Sequence, residues 1–259
     1  MGVLNVTPDS FHAASRAAQP REAVALGLRL IEDGADIIDV GAQSTRPGSR
    51  PVAESVELER AIPVIRALAA RTDVPISIDT DKARVAAAAL DAGASIVNDV
   101  SALRADPGMA RVAARARRVV LMHMRGTPET MQDDPRYDDA FGEVRDFLAR
   151  RLDAFEAAGG DRARAWIDPG VGFGKDLPAN LALIARVGEL AALAPVLLGA
   201  SRKSFLGSLS PDAGPQDRLA GSLAVAAWAG FCGVDAVRVH DVAETRRAFR
   251  ALSALSEAA

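Results

Sequence analysis

The chain has 259 residues, 49% hydrophobic and 25% charged, with a formal net charge of −3; this excludes general disorder and gives no electrostatic reason to expect nucleic acid. Its one cysteine, Cys232, forbids an internal disulfide, and no apolar run approaches the roughly 18–20 residues of a membrane span, so a soluble cytoplasmic protein without membrane partners is expected. Three widely separated histidines, His12, His123 and His240, exclude an HExxH zinc site or a Cys/His cluster but leave room for a magnesium ion shared with a substrate phosphate.

Short aliphatic runs recur along the chain, each followed by a polar or Gly-containing turn and an Ala/Leu-rich helical stretch. The runs predict strands at Met1–Val6, Asp36–Val40, Ile76–Asp79, Ser95–Asn98, Val119–His123, Ala165–Ile167, Val196–Leu198 and Ala236–Val239. The stretches between them predict helices at Arg21–Asp33, Ala53–Arg71, Ala83–Ala92, Gly108–Arg117, Asp138–Ala158, Leu177–Leu193, Gln216–Cys232 and Ala243–Ala254. Continuous apolar strands suit a parallel sheet buried on both faces. Such a sheet is either open and doubly wound or closed, and the eightfold alternation favours a single-domain α/β fold, a (β/α)8 TIM barrel spanning residues 1–259.

Polar residues gather at the strand ends: Asn5, Asp39, Asp79, Asn98, His123 and Asp168, Lys203 shortly after strand seven, then Arg238 and His240. In a barrel these positions converge on one mouth. Any one of them alone reads equally as a turn or cap residue, whereas nothing comparable marks the strand starts. Arg238 and His240 alternate on the last strand and share a face, which suits an anion pocket; an inward arginine paired with a carboxylate such as Asp39 is the alternative. Lysine occurs only at Lys82, Lys175 and Lys203 among 31 basic residues, so each of the three is more probable than an average lysine to need a compact ammonium.

Taken in order, the segments MGVLNVTPDSF (1–11), DVGAQSTRPG (39–48), SIDT (77–80), VNDVSA (97–102), LMHMRGTPETM (121–131), DPGVGFGK (168–175), LLGASRKSFLG (197–207) and RVHDV (238–242) resemble the dihydropteroate synthase family of pterin-binding barrels. The resemblance runs from Met1 to about Arg247 in family order. It implies a transferase of folate biosynthesis in which 4-aminobenzoate attacks 6-hydroxymethyl-7,8-dihydropterin diphosphate and diphosphate leaves, with Mg²⁺ assisting. By the same resemblance Asp79, Asn98, Met122, Asp168, Gly172, Phe173 and Lys203 would hold the pterin, and Thr45, Arg46, Pro47 and Ser201 would line the aminobenzoate pocket. Asn5, Arg238 and His240 would take the diphosphate, with Asn5 also a Mg²⁺ ligand, and Asp9 on the first loop would meet the developing cation. Asp9, Lys203, Arg238 and His240 are thus the expected catalytic set. The resemblance also implies sulfonamide sensitivity and a homodimer. His123 is expected to pack within the barrel.

Three features depart from the family pattern. Gln43 stands where the family usually has Glu, the first loop continues His12-Ala13-Ala14-Ser15 where a Gly-containing stretch is common, and the sequence starts almost on strand one. Two rival readings are a corrinoid-linked methyltransferase using the same pterin pocket and a non-catalytic pterin-binding paralogue. Diphosphate release that depends on aminobenzoate separates all three.

Overall fold

The computed structural model describes residues 1–7, 19–46, 48–209 and 214–258. Strands and helices alternate in the order β1 (Gly2–Asn5), α1 (Gln19–Glu32), β2 (Ile38–Gly41), α2 (Glu54–Ala69), β3 (Ile76–Asp79), α3 (Ala83–Asp91), β4 (Ile96–Asp99), α4 (Met109–Ala113) and β5 (Arg118–Met122). The series continues with α5 (Ala140–Ala157), β6 (Ala165–Asp168), α6 (Leu177–Ala185), β7 (Leu197–Leu198), α7 (Ser204–Ser208), α8 (Leu219–Phe231), β8 (Ala236–Val237) and α9 (Val242–Glu257). Short 3-10 segments lie at Arg162–Arg164, Val187–Ala192 and Pro215–Arg218.

β1 to β6 pair in sequence order, and β7 pairs with β8, all in parallel. Bridges Ile167↔Val196 and Gly2↔Val239 join these two sheets at both edges, closing the ring that the eightfold alternation predicts. At the last seam the Met1 ammonium donates to the Val237 carbonyl at 2.9 Å, Val239 N donates to Met1 O at 2.9 Å, and Val3 N donates to Val239 O at 3.0 Å.

Strands β2, β3, β4 and β6 are buried at every position because side chains fill the barrel and helices cover it. Period-two alternation sends Ile38, Val40 and Ile78 outward into the main core with Ile65, Leu68, Leu121 and Leu148. Each such fully buried aliphatic side chain contributes about 1.5–3 kcal/mol. A second cluster, Met1, Ile96, Val120, Trp166 and Leu197, plugs the end of the barrel nearest the strand starts, and the Arg118 guanidinium lies 4.1 Å from the Trp166 ring centroid beside it. The interior opposite that plug is left for polar groups.

The helices follow their apolar stripes. α2 buries Glu57, Ala61, Val64, Ile65 and Leu68, one face of a 3.6-residue repeat. α6 starts where the Asp176 carboxylate accepts from Ala179 N at 2.9 Å, with Pro178 in its first turn. Three helices differ from expectation. α4 stops at Ala113 because the chain turns to let Arg117 N donate to Ser95 O at 2.9 Å. The stretch expected as one helix from Leu177 to Leu193 tightens into a 3-10 segment after Ala185, where Gly188 lies so close to Cys232 that a Cβ would stand 2.6 Å from its carbonyl oxygen. The stretch from Gln216 also begins as a 3-10 segment, and the short α7 after Lys203 has no counterpart in the expected elements. Among the described residues no helix is long and apolar enough to cross a membrane.

Candidate active site at the barrel mouth

The strand register places Asn5, Gly41, Asp79 and Asn98 as successive partners across β1 to β4. Asp39, two residues before Gly41, faces the same way. Arg238 reaches in from the end of β8. Its Nε donates to Asp39 Oδ2 at 2.6 Å and its Nη2 to Asp79 Oδ2 at 3.0 Å, while Asn98 Nδ2 donates to the same Asp39 oxygen at 3.2 Å. Burial opposes the charge on Arg238, but Asp39 and then Asp79 outweigh it and hold the guanidinium above its ordinary pKa. Burial pushes the Asp79 carboxyl up to about 7 against the pull of Arg238. Asp39 and Asp79 each keep Oδ1 buried without a hydrogen-bond partner, so two acceptors remain unused. The pairing of Arg238 with Asp39 is the alternative that the sequence left open.

Asp168 ends β6 opposite this group. Its Oδ1 accepts from Gly170 N at 2.7 Å, and its pKa is raised by burial, which Lys203 partly offsets. Gly170 holds φ at +66°, and a Cβ there would stand 1.8 Å from the His123 carbonyl oxygen, so no other residue fits this turn. Lys203 Nζ donates to the Val171 carbonyl and lies 4.6 Å from the Phe173 ring centroid, with its stem against Gly172. Burial lowers its pKa to about 8, with Asp168 opposing. Around Gly199 the groups converge: a Cβ built there would be 3.7 Å from Asp168 Oδ2, 3.7 Å from Arg238 Cβ and 3.8 Å from Lys203 Nζ. Met122 packs with Val100, Met124 and Met131, and Phe173 lies against them, giving the polar cluster an apolar wall.

Beneath the Gly-rich turn lies Lys175, whose Nζ is 2.9 Å from each of His123 Nδ1, Gly170 O and Phe173 O. Three ammonium protons meet three acceptors, so the charged form is fully satisfied even though burial drives the lysine pKa well down. His123 Nδ1 thus shares a proton with the Lys175 amine. Burial, then Lys175, pushes that imidazole down to about 2. His123 does not pack inside the barrel as expected. Met122 and Asp168 are register partners facing inward, so His123 points outward, edge-on to Phe147 of α5 at 4.7 Å.

On the other side of the mouth Ser201 Oγ accepts from His240 N at 3.1 Å and lies 3.1 Å from its Nδ1. Burial, followed by Arg238, lowers the His240 pKa to about 4, so the imidazole is neutral near pH 7. Thr45 is half-buried on the loop after β2. Gly48 N donates to Pro128 O at 2.9 Å and ties this loop to the one after β5. Asp9, most of the first-loop motif, the His12–Ser15 stretch and Pro47 lie outside the described residues.

Three supporting groups were given no role toward substrate in the sequence, although Asp39 was marked there as a strand-end residue and a partner for Arg238. Asp39 joins Arg238 to Asn98, Lys175 sits under the glycine turn, and Lys82 bonds Gln43 and Glu57 at 2.8 and 2.6 Å. The scarcity of lysine pointed to two of them. Glu57 also had a signal, as a carboxylate on the apolar stripe of α2.

Comparisons with known proteins agree with this geometry. The family of pterin binding enzymes matches residues 1–240. The dihydropteroate synthase of Escherichia coli (strain K12) is 45% identical over 256 residues, covering 98% of this chain and 90% of that protein. The structure of Xanthomonas albilineans dihydropteroate synthase with 4-aminobenzoic acid superimposes with a TM-score of 0.92 at 47% identity, covering 99% of this chain and 92% of the other. That of the Yersinia pestis enzyme with a sulfonamide drug gives 0.93 at 42% identity, covering 99% and 94%. Because such likeness extends over nearly the whole length, the chain belongs to the dihydropteroate synthase family of pterin-binding transferases.

Proposed function

We propose that the chain joins 6-hydroxymethyl-7,8-dihydropterin diphosphate to 4-aminobenzoate, forming 7,8-dihydropteroate and diphosphate. The observation that carries this reading is the convergence of Asp168, Lys203 and Arg238 around Gly199, beside Asp79 and Asn98. In the reaction the amine lone pair forms a C–N bond at the pterin methylene carbon. The C–O bond to diphosphate breaks, its electron pair departs with the diphosphate, and the amine proton passes to solvent. Positive charge grows on the carbon and negative charge on the leaving group, so groups already held in place are the effective ones.

Asp168 and the unpartnered oxygens of Asp39 and Asp79 accept from the N–H edges of the pterin, and Lys203 turns from the Val171 carbonyl to the ring carbonyl. Asn98 reads a further polar edge, Gly172 permits close approach, and Met122 and Phe173 flank the ring. Arg238 uses Nε and Nη2 on its two carboxylates, which leaves its remaining N–H groups for the diphosphate beside His240. Thr45, Arg46, Pro47 and Ser201 are assigned to the aminobenzoate subsite, and Asp9 is assigned to the developing cation.

Mg²⁺, when bound, supplies charge neutralisation to the diphosphate. The donor set fits a weakly held ion: Asn5 Oδ1 and Asp79 Oδ2 lie 3.4 and 3.6 Å from the point where a Cβ on Gly41 would stand, but Asp79 is engaged by Arg238. Asn5 is then the main protein ligand, and affinity for the ion depends on the substrate. Exposed Trp228 and Phe231 on α8, ring centroids 6.0 Å apart, support a homodimer, and the single cysteine suits the cytoplasm. Protein with Mg²⁺ should release diphosphate from the pterin substrate only when 4-aminobenzoate is added, and sulfonamides should compete with 4-aminobenzoate. No release from folded protein would leave a pterin-binding protein without this activity.

A further inference from the structure

We propose that Lys82 is a positioning residue for the aminobenzoate subsite, holding shut, through Gln43, the base of the loop that carries Thr45 and Arg46. The inference rests on that loop lining the subsite, as proposed above. The loop leaves the barrel just after β2 and returns at the start of α2. Its two ends meet on one atom: Gln43 Oε1 accepts from Val52 N at 3.0 Å and from Lys82 Nζ at 2.8 Å. Lys82 also donates to Glu57 Oε2 at 2.6 Å, and Asp81 Oδ1 lies 3.6 Å from the same ammonium.

Glu57 is fully buried on α2, and its other oxygen has no partner, so the carboxylate has strong reason to keep the ammonium where it is. Lys82 is fixed at its own backbone as well, where its N–H donates to Thr80 Oγ1 at 3.2 Å and the next N–H, of Ala83, donates to Asp106 Oδ2 at 2.9 Å. Arg60 adds a bond from Nη1 to Ala42 O at 3.1 Å beside the same base. The end of β2, the start of α2 and the turn after β3 are thus joined through one ammonium. Beyond the base, Thr45 is half-buried and Arg46 exposed, so the outer part of the loop depends on the position of its two ends. The lysine touches no proposed substrate position. Its effect on aminobenzoate would pass through the loop.

Steady-state kinetics of the full chain with both substrates varied tests this. Lys82→Met and Gln43→Ala should each raise KM for 4-aminobenzoate by about fivefold or more, the scale of one ordinary hydrogen bond felt through the loop, while KM for the pterin diphosphate stays within about twofold. Lys82→Arg should recover part of the loss. Gln43→Ala keeps the Lys82–Glu57 pair and so stays informative if Lys82→Met fails to fold. Thr45→Val probes the subsite directly. If it raises KM for 4-aminobenzoate while Gln43→Ala leaves both constants unchanged, the clamp is overturned and the subsite stands. If Thr45→Val leaves KM for 4-aminobenzoate unchanged, the subsite reading itself fails and the inference with it. Equal rises in both KM values would assign Lys82 to the fold alone.

Discussion

Arg238 serves two demands with one guanidinium, since it neutralises the buried pair Asp39 and Asp79 and is also the cation proposed for the diphosphate. Arg238→Ala should therefore weaken the diphosphate substrate about 10- to 150-fold more than the dihydropterin alcohol. It should also lower folding stability by about 3–5 kcal/mol, because two buried carboxylates lose their partner. Calorimetry with the two ligands and urea unfolding read these effects separately; equal ligand losses would place Arg238 in the fold only. Lys203 gives a pH prediction. Its pKa is depressed to about 8, so the ammonium proposed to donate to the ring is lost as pH rises through that value, well before an exposed lysine would titrate. The kcat/KM for the pterin substrate should fall above about pH 8, and Lys203→Arg should remove that limb. Asp168 ends a rigid strand and should contact the pterin before and during reaction, so Asp168→Ala should abolish measurable pterin binding. Asp9→Ala should instead keep affinity within about threefold and cut turnover on the order of 10²-fold, as expected of a group that acts on the transition state. Undiminished single-turnover rates for that variant would assign Asp9 to its turn.

The Gly170–Lys175 turn is built as one piece. Asp168 caps its first N–H, Gly170 lies against the His123 carbonyl, and Lys175 gathers the Gly170 and Phe173 carbonyls from below. Gly170→Ala combines a positive φ with a collision against backbone that cannot rotate away, so a loss of about 2–4 kcal/mol in chemical unfolding is expected. Lys175→Met should cost about as much, because His123 Nδ1 and the Phe173 carbonyl lose their donor and the Gly170 carbonyl keeps only Phe173 N. A Gly170→Ala protein as stable as the parent would show that the turn adapts. The sequence marked this element clearly, since DPGVGFGK follows a strand and its glycines predict close approach. It did not show which face of the turn meets substrate, because His123 comes from a different strand. The turn after β4 was less legible still. Ala102 and Leu103 hold φ at +51° and +63°, a conformation their residue types disfavour, and only the Asp99 carboxylate and the Arg151 guanidinium explain how it persists.

Across the whole molecule the barrel is uneven. β1 to β6 pair over three or four residues each, whereas β7 and β8 are two residues long and the seams on either side of them rest on single bridges. Local opening follows the weakest contacts, so the amides of Val3 and Val239 at the β8–β1 seam should exchange faster than those of Ile78 and Val97. Hydrogen exchange read residue by residue checks this, and uniform protection around the ring would show that the barrel opens as one unit. The short strands do not loosen the site where it matters, because Arg238 crosses the mouth from the β8 side to carboxylates on β2 and β3.

The sequence alone determined the alternation of buried strands and amphipathic helices, and the placing of Asn5, Asp79, Asn98 and Asp168 at strand ends. Those are local properties: an apolar run buries itself, and a polar residue at its end marks where the apolar layer stops. The family motifs added which ends would face substrate. Pairings were decided only by the tertiary structure. Arg238 and Asp39 are 199 residues apart, and their 2.6 Å contact exists because ring closure brings β8 beside β1 and the register aims both side chains inward. Lys82 meets Gln43 and Glu57, and Lys175 meets His123, because β2 pairs with β3 and β5 with β6. A charge's partner is set by strand order, register and closure together, and no segment of the chain carries that information by itself.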